Sequence, residues 1–121
     1  MAGENTVLQE SILNSIKHLL GITADNTVFD GDIAIHINTV FANLVSMGGG
    51  PENGYSIHGS EETWSEFIGN EKPLLIENVK SYVYIKVRLL FDPPVNTSVI
   101  NAFENQAKEL EYRMYTARGG Y

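Results

Sequence analysis

The chain has no cysteine. That rules out disulfides and thiolate chemistry and fits a reducing compartment. It has three histidines, His18, His36 and His58, each in a different element. They come with no HExxH and no ligand pair at helical spacing, so no metal site is read from the sequence. No apolar run approaches the roughly 20 residues needed to cross a bilayer, and no membrane contact is expected. The opening stretch MAGENTVLQES has neither a basic segment nor an apolar run, so it is not expected to be a signal peptide. Positive charge is also scarce: 8 Lys and Arg stand against 15 Asp and Glu, for a net charge of −7. No Lys or Arg lies between His18 and Glu71, a stretch that holds Asp25, Asp30, Asp32, Glu52, Glu61, Glu62, Glu66 and Glu71. All the basic residues except Lys17 follow from Lys72 onward. A chain with no basic face is poorly made for gripping phosphate backbones. Its separated charges would suit a head-to-tail contact between copies, and they serve solubility equally well.

Catalytic settings are missing too. Asp30-Gly31-Asp32 is reminiscent of a calcium loop, but Val28 and Phe29 stand where oxygen ligands belong and no Glu lies at the required distance. Gly48-Gly49-Gly50 lacks the Lys and the Ser or Thr of a phosphate loop. With no Cys and no GxSxG, a nucleophile has no setting. No catalytic residue, cofactor-binding residue or cofactor is predicted, and the chain is not read as an enzyme.

What is present is helical periodicity. At 121 residues the chain is read as one domain, 1–121, with a modest core. The stretch organising it is KPLLIENVKSYVYIKVRLLFDPP, Lys72 to Pro94. Ile76, Val79, Val83, Val87 and Leu90 recur at spacings of three and four, and Leu75, Tyr82, Ile85 and Leu89 widen that face. Only Glu77, Lys80, Ser81, Tyr84 and Arg88 are left for water, so this helix must be covered on most sides. It is predicted from Leu74 to Phe91, about 27 Å long. Pro93 and Pro94 then force a corner.

Four shorter elements surround it. Thr6 and Gln9 form a capping box for a first helix from about Thr6 to Leu20, with Leu8, Ile12, Ile16, Leu19 and Leu20 inward and Gly21 as the stop. Val28 and Phe29 are expected to plug into the core. Asp30 or Asp32 caps a second helix whose inward residues are Ile33, Ile37, Val40, Phe41, Leu44 and Met47, and which Gly48 to Pro51 end. The stretch to Gly59 is irregular, and Tyr55 and Ile57 there suggest a short extended piece. Ser60 starts a short third helix carrying Trp64, Phe67 and Ile68, which Gly69 ends. After the proline corner, Asn96, Thr97 or Ser98 caps a last helix with Ile100, Phe103, Ala107, Leu110 and Met114 on one face and Glu104–Lys108 and Glu109–Arg113 as i,i+4 pairs. The fold class is therefore all-α: a compact bundle of four to five helices with a long central helix, a Gly/Pro-rich loop, and a flexible tail from about residue 116.

Partner-binding residues are expected in two places. Tyr55 and Ile57 would anchor the Gly48–Gly59 loop between copies. Tyr112, Arg113, Tyr115, Arg118 and Tyr121 put aromatic and cationic groups on a terminal segment that is easily ordered on a partner.

The whole chain resembles the head–tail connector, or adaptor, proteins of long-tailed bacteriophages and prophages. The resemblance is carried by SIKHLLGI (Ser15–Ile22), FDGDIAIHINTVFANLVSMGGGP (Phe29–Pro51), TWSEFIG (Thr63–Gly69), VKSYVYIKVRLLFDPP (Val79–Pro94) and AKELEYRM (Ala107–Met114), in that order. It implies a structural virion protein of four or five helices, completing the head as a dodecameric ring under the portal. The ring would join the portal protein to a head-closure (stopper) or tail protein and leave a channel through which DNA passes without specific binding. It implies a place at the head–tail junction of the virion, reached from the host cytoplasm during assembly. The aromatic and cationic residues of the C-terminal segment are expected to dock it on the portal. A reading from another class is a cytoplasmic helical regulator that binds a protein partner through a groove and has no enzymatic activity. Large rings, or a monomer that joins rings only on a portal, would favour the first; a stable dimer without portal affinity would favour the second.

Overall fold

The computed structural model describes residues 9–47, 51, 54–68 and 73–117. Among the described residues five helices follow one another: α1 (Ile12–Leu19), α2 (Asp30–Ser46), α3 (Trp64–Ile68), α4 (Pro73–Phe91) and α5 (Thr97–Ala117). The fold is all-α, and among the described residues the only β-type pairing is an isolated bridge between Ser11 and Thr63.

α4 is the axis. Pro73 opens it at a position where a missing N–H costs nothing. Ile76, Val79, Tyr82, Val83, Ile85 and Val87 are all buried, so the helix is apolar around most of its circumference, as its sequence requires. α5 packs along one side of it, with Phe103, Ala107, Leu110 and Met114 turned inward. α2 and α1 cover the rest through Ile33, Ile37, Val40, Phe41 and Leu44, and through Ile12, Leu13 and Ile16. α4 and α5 run antiparallel: Tyr82 bonds to Glu111, while Arg88, further along α4, lies over Phe103, earlier in α5. The corner between them is held by Arg88, whose Nε donates to the Asp92 carbonyl at 2.6 Å and whose Nη1 donates to the Tyr84 hydroxyl at 3.2 Å. Asn96 is the N-cap of α5, its Oδ1 accepting from the N–H groups of Ser98 and Val99 at 2.7 and 3.3 Å. Phe29 at the entry to α2 lies edge-on to Phe91 at the end of α4, with centroids 5.6 Å apart. The start of α2 therefore sits beside the end of α4, and these two helices are also antiparallel.

Several boundaries and burials depart from the sequence reading. The first helix does not run unbroken from Thr6. Thr6 and Leu8 lie outside the described residues, but Ser11 is extended and caps α1, accepting from the Asn14 N–H at 3.2 Å. The break lets Ile12 N–H reach the Glu62 carbonyl at 2.9 Å and Trp64 N–H approach the Glu10 carbonyl at 3.4 Å, which ties α1 to the entry of α3. Leu13 and Lys17 are buried on α1, whereas Leu19 is exposed. α1 ends as predicted at Gly21, whose φ of +85° favours glycine; Gly21 N–H bonds to the His18 carbonyl and Ile22 N–H to that of Lys17.

Asp30 does not cap α2. Phe29 occupies the N-cap without a side-chain bond, and Asp30 is the first helical residue, drawn instead to Lys17. Val28 and Phe29 do not plug into the core: Val28 is exposed, and Phe29 stays on the surface against Phe91. Met47 and Leu90, at the ends of their stripes, are also exposed. The third helix starts at Trp64, just after Thr63, rather than at Ser60. Glu66 three residues on accepts from the Thr63 N–H at 3.3 Å, as the acidic half of a capping box does, while the Glu62 carboxylate is taken by the N–H groups of His58 and Gly59. The expected stops at Gly48–Gly50 and Gly69 lie outside the described residues.

Candidate functional site

Three polar arrangements position the surfaces of this bundle. First, Asn38 on α2 treats Ile57 as a strand would. Its Nδ2 donates to the Ile57 carbonyl at 2.9 Å and its Oδ1 accepts from the Ile57 N–H at 2.7 Å. Both backbone groups of an irregular segment are thereby satisfied by one side chain. The aromatic cluster Phe41, Tyr55, Trp64 and Phe67 fixes the same segment and α3 onto α2, with Phe41 and Phe67 stacked at 4.3 Å. The Tyr55 hydroxyl donates to Glu66 at 2.9 Å, and burial, reinforced by that carboxylate, pushes its pKa above the usual phenol value. Glu62 is moved the other way: burial works to raise its pKa, but backbone N–H donors, His58 and Gly59 among them, outweigh it and hold the carboxyl below its ordinary range.

Second, Trp64 Nε1 donates to Ser15 Oγ at 2.8 Å, and Ser15 Oγ donates onward to the Ile12 carbonyl at 3.0 Å. This buried relay joins α3 to α1. Third, Lys17 is 1% exposed, with its ammonium 2.8 Å from Asp30 Oδ1 and donating to the Ala24 carbonyl at 3.1 Å. The contact with Asp30 is a charge pairing rather than an aligned hydrogen bond, and Oδ1 has no other partner. It clasps the α1–α2 connection against the bundle.

None of this resembles a reaction centre. A depression of about 290 Å³ lined by Glu10, Ser11, Asn14, Ser15, His18 and Lys80 has its acid and its lysine already paired at 3.2 Å. A second, of about 670 Å³, lies between α2 and the segment Gly54–Ser56 and holds only neutral groups. Among the described residues no group of His, Asp or Glu could hold a metal, and no described helix is long and apolar enough to cross a membrane.

The residues singled out from sequence fall in separate places. Ile57 is 1% exposed and Tyr55 half-buried, both packed on the chain's own core beside α2. Tyr112 is 67% exposed on the outer side of α5, where Arg113 pairs with Glu109 at 3.0 Å. Tyr115 belongs to α5, while Arg118 and Tyr121 lie outside the described residues. The sequence reading missed a further group. Val28, Phe29, Leu90, Val95 and Val99 are exposed apolar residues on the α1–α2 connection, the end of α4, the proline corner and the first turn of α5, which share one end of the bundle. Its sequence signal is an apolar residue inside a turn-forming stretch, as Val28 is after Asp25-Asn26 and Val95 is after Pro93-Pro94.

A family model described as phage connector protein matches residues 12–120. No curated protein and no solved structure matches the chain.

Proposed function

The chain belongs to the phage connector protein family, and from that premise we propose that it assembles as a dodecameric ring under the portal, joins the portal to a head-closure or tail protein, and leaves a channel for DNA. The family is a structural one, which makes the chain a component of the phage particle that assembles with other head and tail proteins. The observation that carries the reading is the family match over nearly all of an all-helical chain. The charge balance supports the channel: a conduit must let DNA slide, and a chain of net charge −7 would not hold it. Residues 1–121 act as one connector domain. The C-terminal segment, with Tyr112, Arg113, Tyr115, Arg118 and Tyr121, docks on the portal. The loop from Gly48 to Gly59 sits between copies, with Tyr55 and Ile57 as the anchors that hold it on its own subunit. The protein reaches the head–tail junction from the host cytoplasm.

The test is reconstitution. Purified full-length chain is added to portal-bearing, DNA-filled heads that lack it, and the heads are imaged by electron microscopy. A twelvefold ring beneath the portal is expected. A chain that does not associate with such heads would overturn the reading. Removing residues 116–121 should weaken the association without lowering the melting temperature.

A further inference from the structure

We propose that the exposed apolar cluster at the proline corner is the surface that receives the next protein on the tail side, and that this protein presents apolar side chains flanked by Lys or Arg. The inference rests on the connector reading above.

The cluster lies at one end of the bundle. Phe29 meets Phe91 edge-on at 5.6 Å, which brings the α1–α2 connection to the end of α4. Leu90 adjoins Phe91, Val95 stands in the five-residue gap between α4 and α5, and Val99 lies in the first turn of α5. Val95 is fully exposed, Val28 81% and Leu90 51%. Among the described residues nothing covers them, although Arg88 and Asn96 hold the corner backbone in one shape. Apolar side chains held rigidly on a surface are preorganised for a partner, since little rotamer or loop entropy remains to be lost.

The chemistry of the partner follows from the rim. Asp25, Asp32 and Asp92 are exposed on the same segments as the apolar residues, within three positions of Val28, Phe29 and Val95 respectively. Asp30 is already matched to Lys17, and Arg88 is engaged with the Asp92 carbonyl and with Tyr84. No Lys or Arg occurs from residue 18 to the end of α2, or from residue 89 through the corner to residue 107. The Asp92 carboxylate lies 3.9 Å from Arg88 Nε, so Asp25 and Asp32 leave the rim with a net negative charge. An apolar centre with an acidic rim matches an apolar centre with a basic rim, and it repels DNA and acidic partners.

The side it faces follows from the helix directions. Because α5 runs back along α4, the end of α5 and the end of α2 lie at the opposite end from the corner. If the C-terminal segment takes the portal, the corner end points away from it.

The experiment uses heads loaded with the full chain, and as probe the purified head-closure protein of the same phage. Val95→Lys is the main variant because a fully exposed side chain contributes nothing to the fold. Asp92→Lys tests the rim. Both should load onto heads and melt as the wild type does. Each should bind the head-closure protein roughly tenfold more weakly, and added salt should weaken wild-type binding. Wild-type affinity in both variants would overturn the proposal. So would variants that fail to load or to form rings, since the corner would then contact the portal or another copy. If the wild-type chain itself does not load, the connector reading fails instead, and the two failures are told apart.

Discussion

The clasp between Lys17 and Asp30 yields a prediction about asymmetry. The two charges are 2.8 Å apart, but their burial differs: the Lys17 side chain is 1% exposed and that of Asp30 29%. Replacing Lys17 by Met keeps the apolar stem packed and removes the ammonium. The Asp30 carboxylate is then left alone but can take up water, and the Ala24 carbonyl lies on an exposed residue that can do the same. The cost should be about 1–2 kcal/mol, the range for a lost charge-assisted bond whose partners rehydrate. Replacing Asp30 by Ala leaves the ammonium buried with only one carbonyl oxygen as partner. An uncompensated buried charge costs about 3–5 kcal/mol. Asp30→Ala should therefore be the more damaging change, although Asp30 is the more exposed partner. The double variant should fall near Lys17→Met alone, because removing the ammonium removes the reason Asp30 is needed. Urea unfolding followed by circular dichroism measures all three. Equal costs, or a milder effect of Asp30→Ala, would show that the pair acts as a surface salt bridge and that burial of Lys17 does not set its energetics.

Other expected outcomes follow from named contacts. Asn38→Ala strips both partners from the buried Ile57 backbone and should cost about 2–3 kcal/mol, with faster amide exchange at Ile57 than in α4. Val83→Asp puts a charge at a fully buried position of α4 and should leave the purified chain without a cooperative thermal transition; a melting temperature like the wild type's would show that α4 is not the axis. The Tyr82 hydroxyl donates to Glu111 at 2.7 Å, and burial, reinforced by that carboxylate, raises its pKa above the usual phenol value. The folded chain therefore keeps this proton where the unfolded chain has lost it, so the contribution is complete below about pH 10 and declines as pH rises further. Tyr82→Phe should flatten that alkaline decline, read as urea midpoints at about pH 9 and about pH 11.

Periodicity made the long elements legible because burial and sequence spacing obey the same geometry. Ile76, Val79, Val83 and Val87 on α4, and Ile33, Ile37, Val40, Phe41 and Leu44 on α2, could be placed without coordinates. The stops at Gly21 and at the proline corner were legible for the same local reason. What failed was whatever depends on a residue distant in the chain. Asp30 looks like a cap until Lys17, thirteen residues earlier, is seen to claim it. Ser60 looks like a helix start until Glu62 turns back to His58 and Gly59. The role of Asn38 depends on Ile57, nineteen residues away, and nothing in the local sequence marks it. The exposed corner residues were missed because Val28, Phe29 and Leu90 were assigned inward by default, whereas they lie at the ends of their elements and stay exposed.

The architecture also bears on how such a chain can connect. Both ends of the bundle are referred to one helix: the corner end is built on the last turns of α4 through Arg88 and Phe91, and α5 is registered along it by the bond from Tyr82 to Glu111. At roughly 1.5 Å per residue, α4 sets a spacing of about 28 Å between those ends. Loops could not keep that distance, because each would change length with every backbone fluctuation. A helix buried on most of its circumference changes length only by unfolding, since its hydrogen bonds are internal and its side chains interlock with α2 on one side and α5 on the other. The unusual apolarity of the Lys72–Pro94 stretch is thus the sequence form of a mechanical requirement: a spacer covered from both sides holds the two ends of the bundle at a fixed separation.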